Sequence, residues 1–561
     1  MQKKFIIYQV LPRLFGNTNE NCIPNSSLMV NGSGKFNDFD IKTLKSIKEL
    51  GCTHIWFTGI IEHATKTDYS AYGILKDYPC LVKGEAGSPF AVKDYFDVDP
   101  DLATDVSDRM SEFTDLLKRT HKVGLKAIID FIPNHLARFY LSDMKPDDAE
   151  NFGAKDKRDY SFHPMNNFYY ILNENFNSPD TNTKNSSEYI EFPAKVTGND
   201  CFTSSPGIED WFETVKLNYG VDYLNNKASY FNPIPDTWKK MKSVLLYWTD
   251  LGVDGFRCDM AEMVPVEFWK WAIKNVKKNF PETIFIAEIY NPDQYSNYLN
   301  IAGFDYLYDK VGLYDNLKKI VRGEAPASNI TRTWQSLGDN QNRMLNFLEN
   351  HDEQRIASEY FLENPYLAIP ALAVSLLFNR TPFMIYFGQE LGERGMDEEG
   401  YSGLDGRTSI FDYWSVTSVR NWRKKGEIPE LRFIYKKLMN IALKEQPFKV
   451  GQTYDLCYIN GYSDFFDPEY NFAFLRFFNK ELILVVVNFQ NIEKKLRINI
   501  PKHSFDFFKI SDQFVDSGTD LLSGERVTEL LSLRSPYNVA VQANNIRIIK
   551  FLLQEYQPNK L

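Results

Sequence analysis

The chain is predicted to be an α/β protein: a (β/α)8 barrel with a long insertion after its third strand, followed by an antiparallel β-sandwich. Three observations predict it. Short apolar runs alternate with helix-spaced patterns eight times between residues 5 and 387. Parallel strands need crossovers, and crossovers supply the covering helices. About 100 residues of weak periodicity, rich in Asn, Asp, Pro and Tyr, separate the third run from its helix. After residue 446 the pattern changes to β-like runs bounded by turn residues.

In order, the first strand is expected at 5–11 and its helix at 38–50. The second strand and helix follow at 53–57 and 106–122, and the third strand at 126–131. The helix at 238–251 shows Trp238, Met241, Val244, Leu245 and Trp248 at helical spacing. The fourth strand is expected at 254–258, with a helix from Val266, and the fifth at 283–286. The sixth to eighth are expected at 304–307, 344–347 and 383–387, and a closing helix at 429–444. Later runs at 472–478, 482–489, 495–500 and 546–553 read as antiparallel strands. The expected units are the barrel (1–135 and 236–446), the insertion (136–235) and the sandwich (447–561).

Composition narrows the function. The net charge of −10 gives no basic surface for nucleic acid. No stretch approaches 18 apolar residues, so no membrane span is expected. The N-terminal apolar run is short, contains Gln9 and leads into Pro12-Arg13, so it reads as a strand rather than a leader. With Met1 as the native start, the expected location is cytoplasmic. The six cysteines are scattered, without metal-ligand spacing, and read as reduced thiols. Aromatic residues make up 15% of the chain. Most must be core, but aromatic rings also suit the apolar C–H faces of sugars.

Three acids end short apolar runs: Asp259 in Gly255-Phe256-Arg257-Cys258-Asp259, Glu288 in Phe285-Ile286-Ala287-Glu288, and Asp352 in Phe347-Leu348-Glu349-Asn350-His351-Asp352. In a barrel, the C-terminal strand ends line the active site. Alternation puts Arg257 and Asp259 on one face. The guanidinium is expected to keep Asp259 ionised, as a nucleophile requires, while neighbouring carboxylates raise the pKa of Glu288, as a general acid requires. That division of labour is retaining glycoside cleavage. Asp352 is then free to hold sugar hydroxyls and stabilise developing positive charge. A single acid at a strand end could simply cap the next helix; three in order argue against that.

These motifs resemble the α-amylase family of retaining α-glucan-active glycoside hydrolases and transglycosylases, which share the TIM-barrel fold. Asp130-Phe131-Ile132-Pro133-Asn134-His135 looks like its first motif. The Arg257–Asp259, Ala287–Tyr290 and Asn350–Asp352 segments look like the next three. Ile7-Tyr8-Gln9 and the run from Met384 to Glu390 resemble its first- and eighth-strand segments. The resemblance implies Asp259 as nucleophile, Glu288 as acid/base and Asp352 as transition-state stabiliser. It implies sugar binding by Arg257, His135, His351, Asp130, Phe90 and Tyr290.

The chain departs from the family pattern at three places. Ser88 stands where many members carry a sugar-binding His, while Phe90 keeps the aromatic platform. Met260-Ala261-Glu262 replaces the Lys-His pair that follows the nucleophile in endo-amylases. Lys216 replaces a calcium-ligand carboxylate, so no calcium is expected at Asn134, with Lys216 reaching toward it; a calcium among the acids of 396–399 stays open. No other cofactor is implied. The leading expectation is hydrolysis of α-1,4-glucosidic bonds in maltooligosaccharides or related α-glucans. The alternatives are a retaining α-glucanotransferase and, more remotely, a catalytically inactive barrel that binds sugar. A phosphate-binding barrel lacks its glycine-rich loop, and Glu390 stands where phosphate would sit.

Overall fold

The computed structural model describes residues 4–180, 189–395, 405–510, 517–533 and 535–553. Eight parallel strands close a barrel: β1 (Ile6–Val10), β2 (His54–Phe57), β3 (Lys126–Phe131), β4 (Gly255–Cys258), β5 (Ile284–Ala287), β6 (Tyr306–Tyr308), β7 (Met344–Phe347) and β8 (Phe383–Tyr386). Each strand pairs with its sequence neighbours, and β1 pairs with β8 to close the ring. The expected strands are all present, with ends shifted by one or two residues.

Period-two alternation divides each strand between two cores. Ile6, Tyr8 and Val10 pack outward among the helices, while Ile7 packs inward with Trp56, Ile128, Ile286, Tyr308, Leu345, Phe347 and Met384. Both faces are buried, so the strands read as continuous apolar runs. The covering helices have the expected one-sided pattern. Ile41–Leu50 begins at Asp40, whose carboxylate accepts from the Thr43 amide at 2.7 Å, and ends at Gly51 with φ +115°. Asp236–Asp250 buries Trp238, Met241, Val244, Leu245 and Trp248. After β5 the covering element is one π-helical stretch, Asn297–Ala302, so the ring of helices is uneven.

The segment between β3 and Asp236 folds as short antiparallel pairs. His135–Ala137 pairs with Thr214–Lys216, and Tyr170–Ile171 with Ala194–Lys195. Arg138 replaces long periodic structure as its organiser. Its buried guanidinium binds Glu191 at 2.7 Å and the carbonyls of Phe212 and Thr214 at 2.8 and 3.0 Å.

Beyond the barrel, Gln452–Asp455, Asn471–Phe478, Glu481–Asn488, Asn545–Leu552 and Thr519–Asp520 form a five-stranded sheet in that order. Lys494–Ile498 and Tyr537–Val541 form a second, two-stranded layer. The runs at 452–455, 519–520 and 537–541 escape sequence reading because they are short or split between two environments. Phe472, Phe474, Val485 and Ile548 pack into the barrel's core, while Ala473, Leu475, Leu484 and Ile549 pack against the second layer. The sandwich thus shares one apolar face with the barrel. All six cysteines remain thiols. Among the described residues, no helix is long and apolar enough to cross a membrane.

Candidate active site

The site begins with strand register. In β4, Phe256 and Cys258 face the helices, so Arg257 and Asp259 face the barrel axis. Arg257 lies opposite Ile286 of β5, and Cys258 opposite Ala287. One step further, Asp259 and Glu288 stand level at the strand ends. The chain then turns through Met260 at φ +41°, and its N–H donates to Glu288 Oε2 at 2.9 Å. A non-glycine residue in this region is uncommon. Here the strained turn aims an amide at a carboxylate.

Arg257 ties the acids together. Its Nη1 donates to Asp259 Oδ1 at 2.8 Å, and its Nη2 pairs with Glu288 Oε2 at 2.8 Å. Nη1 also lies 3.4 Å from Asp130 Oδ1, and Nε donates to Tyr308 Oη at 3.2 Å. Tyr290 Oη donates to the second Glu288 oxygen at 2.5 Å. Burial pushes Asp259 above the usual carboxylate range, with Arg257 pulling back. Burial likewise raises Glu288, Arg257 opposes, and the Asp259 charge adds to the rise. The expected pull of Arg257 on Asp259 is present and opposes the effect of burial without cancelling it.

Asp352 comes from the loop after β7. Its Oδ2 lies 3.1 Å from His351 Nε2, and Gln9 Nε2 meets His351 Nδ1 at 2.8 Å. With the amide donating to Nδ1, the ring carries its proton on Nε2, toward Asp352. Burial, then Arg257, push His351 well below its usual range, so the ring is neutral. Burial and Glu288 raise Asp352, although 43% of its side chain remains accessible through the pocket. That access tempers the push.

The acids open into a cavity of about 250 Å³, also lined by Ser88, Phe90, His135, His351 and Tyr290. Phe90 stacks on His351 at 5.2 Å between ring centroids. Burial, then Lys216, lower His135 to about 3, so it too is neutral. Seven of the nine site residues read from sequence therefore meet at one cavity. Arg257 and Asp130 do not line it; they lie beneath its floor. Register gives the reason: Asp130 lies level with Arg257, one layer beneath Asp259. Asp130 accepts from Trp56 Nε1 at 3.0 Å, and burial raises it to about 7.

Several lining residues carried no sequence signal. Lys83 and Glu213 pair at 3.2 Å, and Lys83 also donates to the Asp210 carbonyl at 3.0 Å. The Trp211 ring lies 5.1 Å from that of His135. Phe411 accepts from the Ala86 amide at 2.9 Å, joining the loop after β8 to the loop after β2. All stand on irregular loops, where no period marks a face. Trp211 alone had a compositional hint, as the one Trp of the insertion. Glu390 is a structural group: it is buried, accepts from Tyr8 Oη at 2.9 Å and pairs with Arg432.

At Asn134, Lys216 Nζ donates to the side-chain oxygen at 2.9 Å and pairs with Asp200. The Asn134 amide donates to the Gly198 carbonyl at 2.7 Å. The acids of 396–399 lie outside the described residues.

Comparison with known proteins agrees with this geometry. The family described as "Alpha amylase, catalytic domain" matches residues 9–426. "Alpha-amylase 2" of Dictyoglomus thermophilum is 23% identical over 467 residues, covering 82% of this chain and 65% of that protein. This chain thus spans slightly less than two thirds of that relative. A cyclomaltodextrinase of Thermoanaerobacter pseudethanolicus is 22% identical over 526 residues, covering 90% and 74%. A maltosyltransferase of Picrophilus torridus that acts between α-1,4-glucan and maltose 1-phosphate is 34% identical over 71 residues, 13% of this chain and 11% of that protein. Among solved structures, a noncanonic maltogenic α-amylase, AmyB, from Thermotoga neapolitana shares the fold with a TM-score of 0.64 and 20% identity, covering 98% and 99% of the two chains. The family match extends over most of the chain and takes in all three acids: the chain belongs to the α-amylase catalytic-domain family.

Proposed function

We propose that the chain is a retaining glycosidase that cleaves α-1,4-glucosidic bonds in maltooligosaccharides or related α-glucans. The observation that carries this reading is the single buried guanidinium gripping Asp259 and Glu288 at 2.8 Å each. Shared hold by one side chain favours the short carboxyl separation of retaining enzymes, about 5–5.5 Å, over the roughly 6.5–9.5 Å of inverting ones.

In this mechanism Asp259 attacks the anomeric carbon while protonated Glu288 gives its proton to the departing glycosidic oxygen. A covalent glycosyl-enzyme forms. Glu288, now a carboxylate, takes a proton from the incoming water, which displaces Asp259. Arg257 and the Met260 amide hold the acids in place, while Phe90 offers a flat face to the sugar ring. Asp352, steadied by His351, binds sugar hydroxyls and offsets the oxocarbenium charge.

A retaining glucanotransferase is the second reading. A sugar hydroxyl then replaces water in the last step. The local match to a maltosyltransferase and the Met260-Ala261-Glu262 sequence after the nucleophile favour keeping it. A time course on a defined maltooligosaccharide separates the two. Products only shorter than the substrate mean hydrolysis; early longer products mean transfer.

We further propose that the Lys216 ammonium replaces a cation at Asn134. Calcium needs several hard oxygen ligands, and here the Asn134 oxygen is already taken by a positive group. Lys216→Met is expected to lower the melting temperature, because it leaves the buried Asn134 oxygen without its donor and Asp200 without its partner. The loss is roughly 3–5 kcal/mol if the pair behaves as a buried one, and less because Asp200 is partly exposed. An unchanged melting curve would show that Lys216 holds nothing.

Asp259→Asn is expected to abolish turnover with the fold intact by circular dichroism, since no covalent intermediate can form. Retention of more than about a tenth of kcat, a loss of only ~1.4 kcal/mol in barrier, would remove Asp259 from the nucleophile role. Tyr290→Phe tests the acid. The Tyr290 hydroxyl draws Glu288 downward by donating to its ionised form. Without it the Glu288 pKa rises further, so the basic limb of kcat/KM, where the acid loses its proton, should move to higher pH. A limb that stays or moves down excludes Glu288 as the group it reports.

A further inference from the structure

A cluster of acids away from the active site has no role in the chemistry above. After β2 the chain makes an antiparallel excursion, Ile61–His63 against Val92–Val98, with Glu62 opposite Asp94 and the register shifting on both sides of Glu62. Glu62 is 1% exposed, and neither of its carboxylate oxygens receives a hydrogen bond. Asp94 is fully buried. Its Oδ1 accepts from the Phe96 amide at 2.8 Å, and its Oδ2 accepts from the amides of Asp143 and Met144 at 3.0 Å each. Those two bonds draw the start of the insertion down onto the excursion and deliver a third carboxylate, Asp143. One oxygen from each of Glu62, Asp94 and Asp143 lies within 4.8 Å of the others.

The local charge is unbalanced. Asp97 adds a fourth carboxylate, and Arg109 is the cation set among them. Arg109 is engaged with Asp97 at 2.6 Å and lies 3.6 Å from Asp143. Lys93 sends its field toward Glu62 but is paired with Asp77 at 3.0 Å. Four carboxylates against one committed guanidinium leave an excess that burial makes costly. A shared proton relieves one charge and joins two oxygens. It leaves the third carboxylate unserved.

We propose that Glu62, Asp94 and Asp143 form a binding site for a hard divalent cation, calcium in preference to magnesium. Ligand oxygens about 2.3–2.6 Å from a common Ca²⁺ lie up to roughly 5 Å apart, a span these three oxygens meet. Three carboxylates suit calcium, whereas magnesium usually takes one or two and keeps its waters. Asp143, 32% exposed, gives the ion an entry path and room for water ligands. The ion would rivet the 142–144 segment to the strand that starts two residues after Phe90. The residue just before that strand is already held, where the Ala64 amide donates to the Ala91 carbonyl at 3.0 Å. The site is distinct from Asn134, where Lys216 stands.

The test uses the whole protein, stripped with a chelator and dialysed. Calcium chloride and magnesium chloride are titrated by calorimetry and by melting temperature, in wild type and in the variants Glu62→Gln and Asp143→Asn. Wild type should take up a single calcium ion at this site, with a melting rise larger for calcium than for magnesium. Glu62→Gln should abolish that uptake, and Asp143→Asn should weaken it by roughly tenfold or more. No calcium response in wild type, or unaltered uptake in both variants, overturns the site. A gain in the melting temperature of ion-free Glu62→Gln, with wild type indifferent to calcium, shows instead that Glu62 is simply a protonated buried acid. If Glu62→Gln does not fold, Asp143→Asn decides the matter, because its partly exposed side chain can be changed without disturbing the core.

Discussion

The guanidinium of Arg257 is the interaction on which the rest of the site depends. It lies 1% exposed inside the barrel, with Asp259, Glu288 and Asp130 around it and the Tyr308 hydroxyl on its third nitrogen. Without it, three carboxylates would share a dry space with no nearby counter-charge, and each would be driven to its neutral form. With it, one positive charge is divided among three acids. None is fully compensated, and burial still raises all three. That partial compensation suits a site where one carboxyl must give a proton and its neighbour must attack. A second arginine would hold both as carboxylates. A lysine would supply a point charge instead of a fork and could not grip two acids from opposite nitrogens.

The fork works only because the barrel fixes register. A one-residue slip of β5 against β4 would turn Glu288 toward the helices and bring Ala287 to the axis. The outward faces prevent that slip, because Phe256, Cys258, Phe285 and Ala287 are all buried in the core between strands and helices. The same alternation makes Asp259 and Glu288 legible in the sequence. Each directly follows a short apolar run whose period fixes its direction, and strand ends all open on one face, whereas Asp352 stands in the loop past Phe347, where its motif rather than a period marks it. Asp130 shows the limit of this reading. Period two gives the side of the strand but not the height along the barrel axis. Only the observed pairing of Asp130 with Arg257 shows that it lies a layer beneath Asp259.

What sequence does not reveal is the wall of the cavity. Lys83, Trp211, Glu213 and Phe411 come from three loops that are far apart in the chain and have no period. They are brought together by bonds to backbone carbonyls: Lys83 to Asp210, Arg13 to Ile410, and the Ala86 amide to Phe411. Such bonds need a donor and a nearby carbonyl, and every residue offers a carbonyl, so composition does not announce them. The insertion is similar. Arg138 organises it through three carbonyls and Glu191, and nothing around residue 138 marks that arginine among the others.

This difference bears on the proposed reaction. In the proposed mechanism the catalytic layer is common to hydrolysis and transfer, since both would pass through a sugar attached to Asp259 and both would need Glu288 as base in the second step. Their ratio depends on whether water or a sugar hydroxyl sits near the anomeric carbon when the first product leaves. That choice belongs to the loops and to the turn after the nucleophile. There, Met260 lines the cavity beside Glu288 with an apolar side chain, at the position where the resemblance implies acceptor contact. It also spends its amide on Glu288. An apolar group at that point cannot orient an acceptor by hydrogen bonding. It can only exclude water or offer a surface for the sugar's C–H face. Acceptor recognition must then come from polar groups further along the wall. Lys83 and Glu213 are suited to that, as a buried ion pair with one edge on the cavity. On the proposed reading, specificity is therefore set by residues whose positions are fixed by backbone carbonyls, around a centre whose geometry is fixed by strand register.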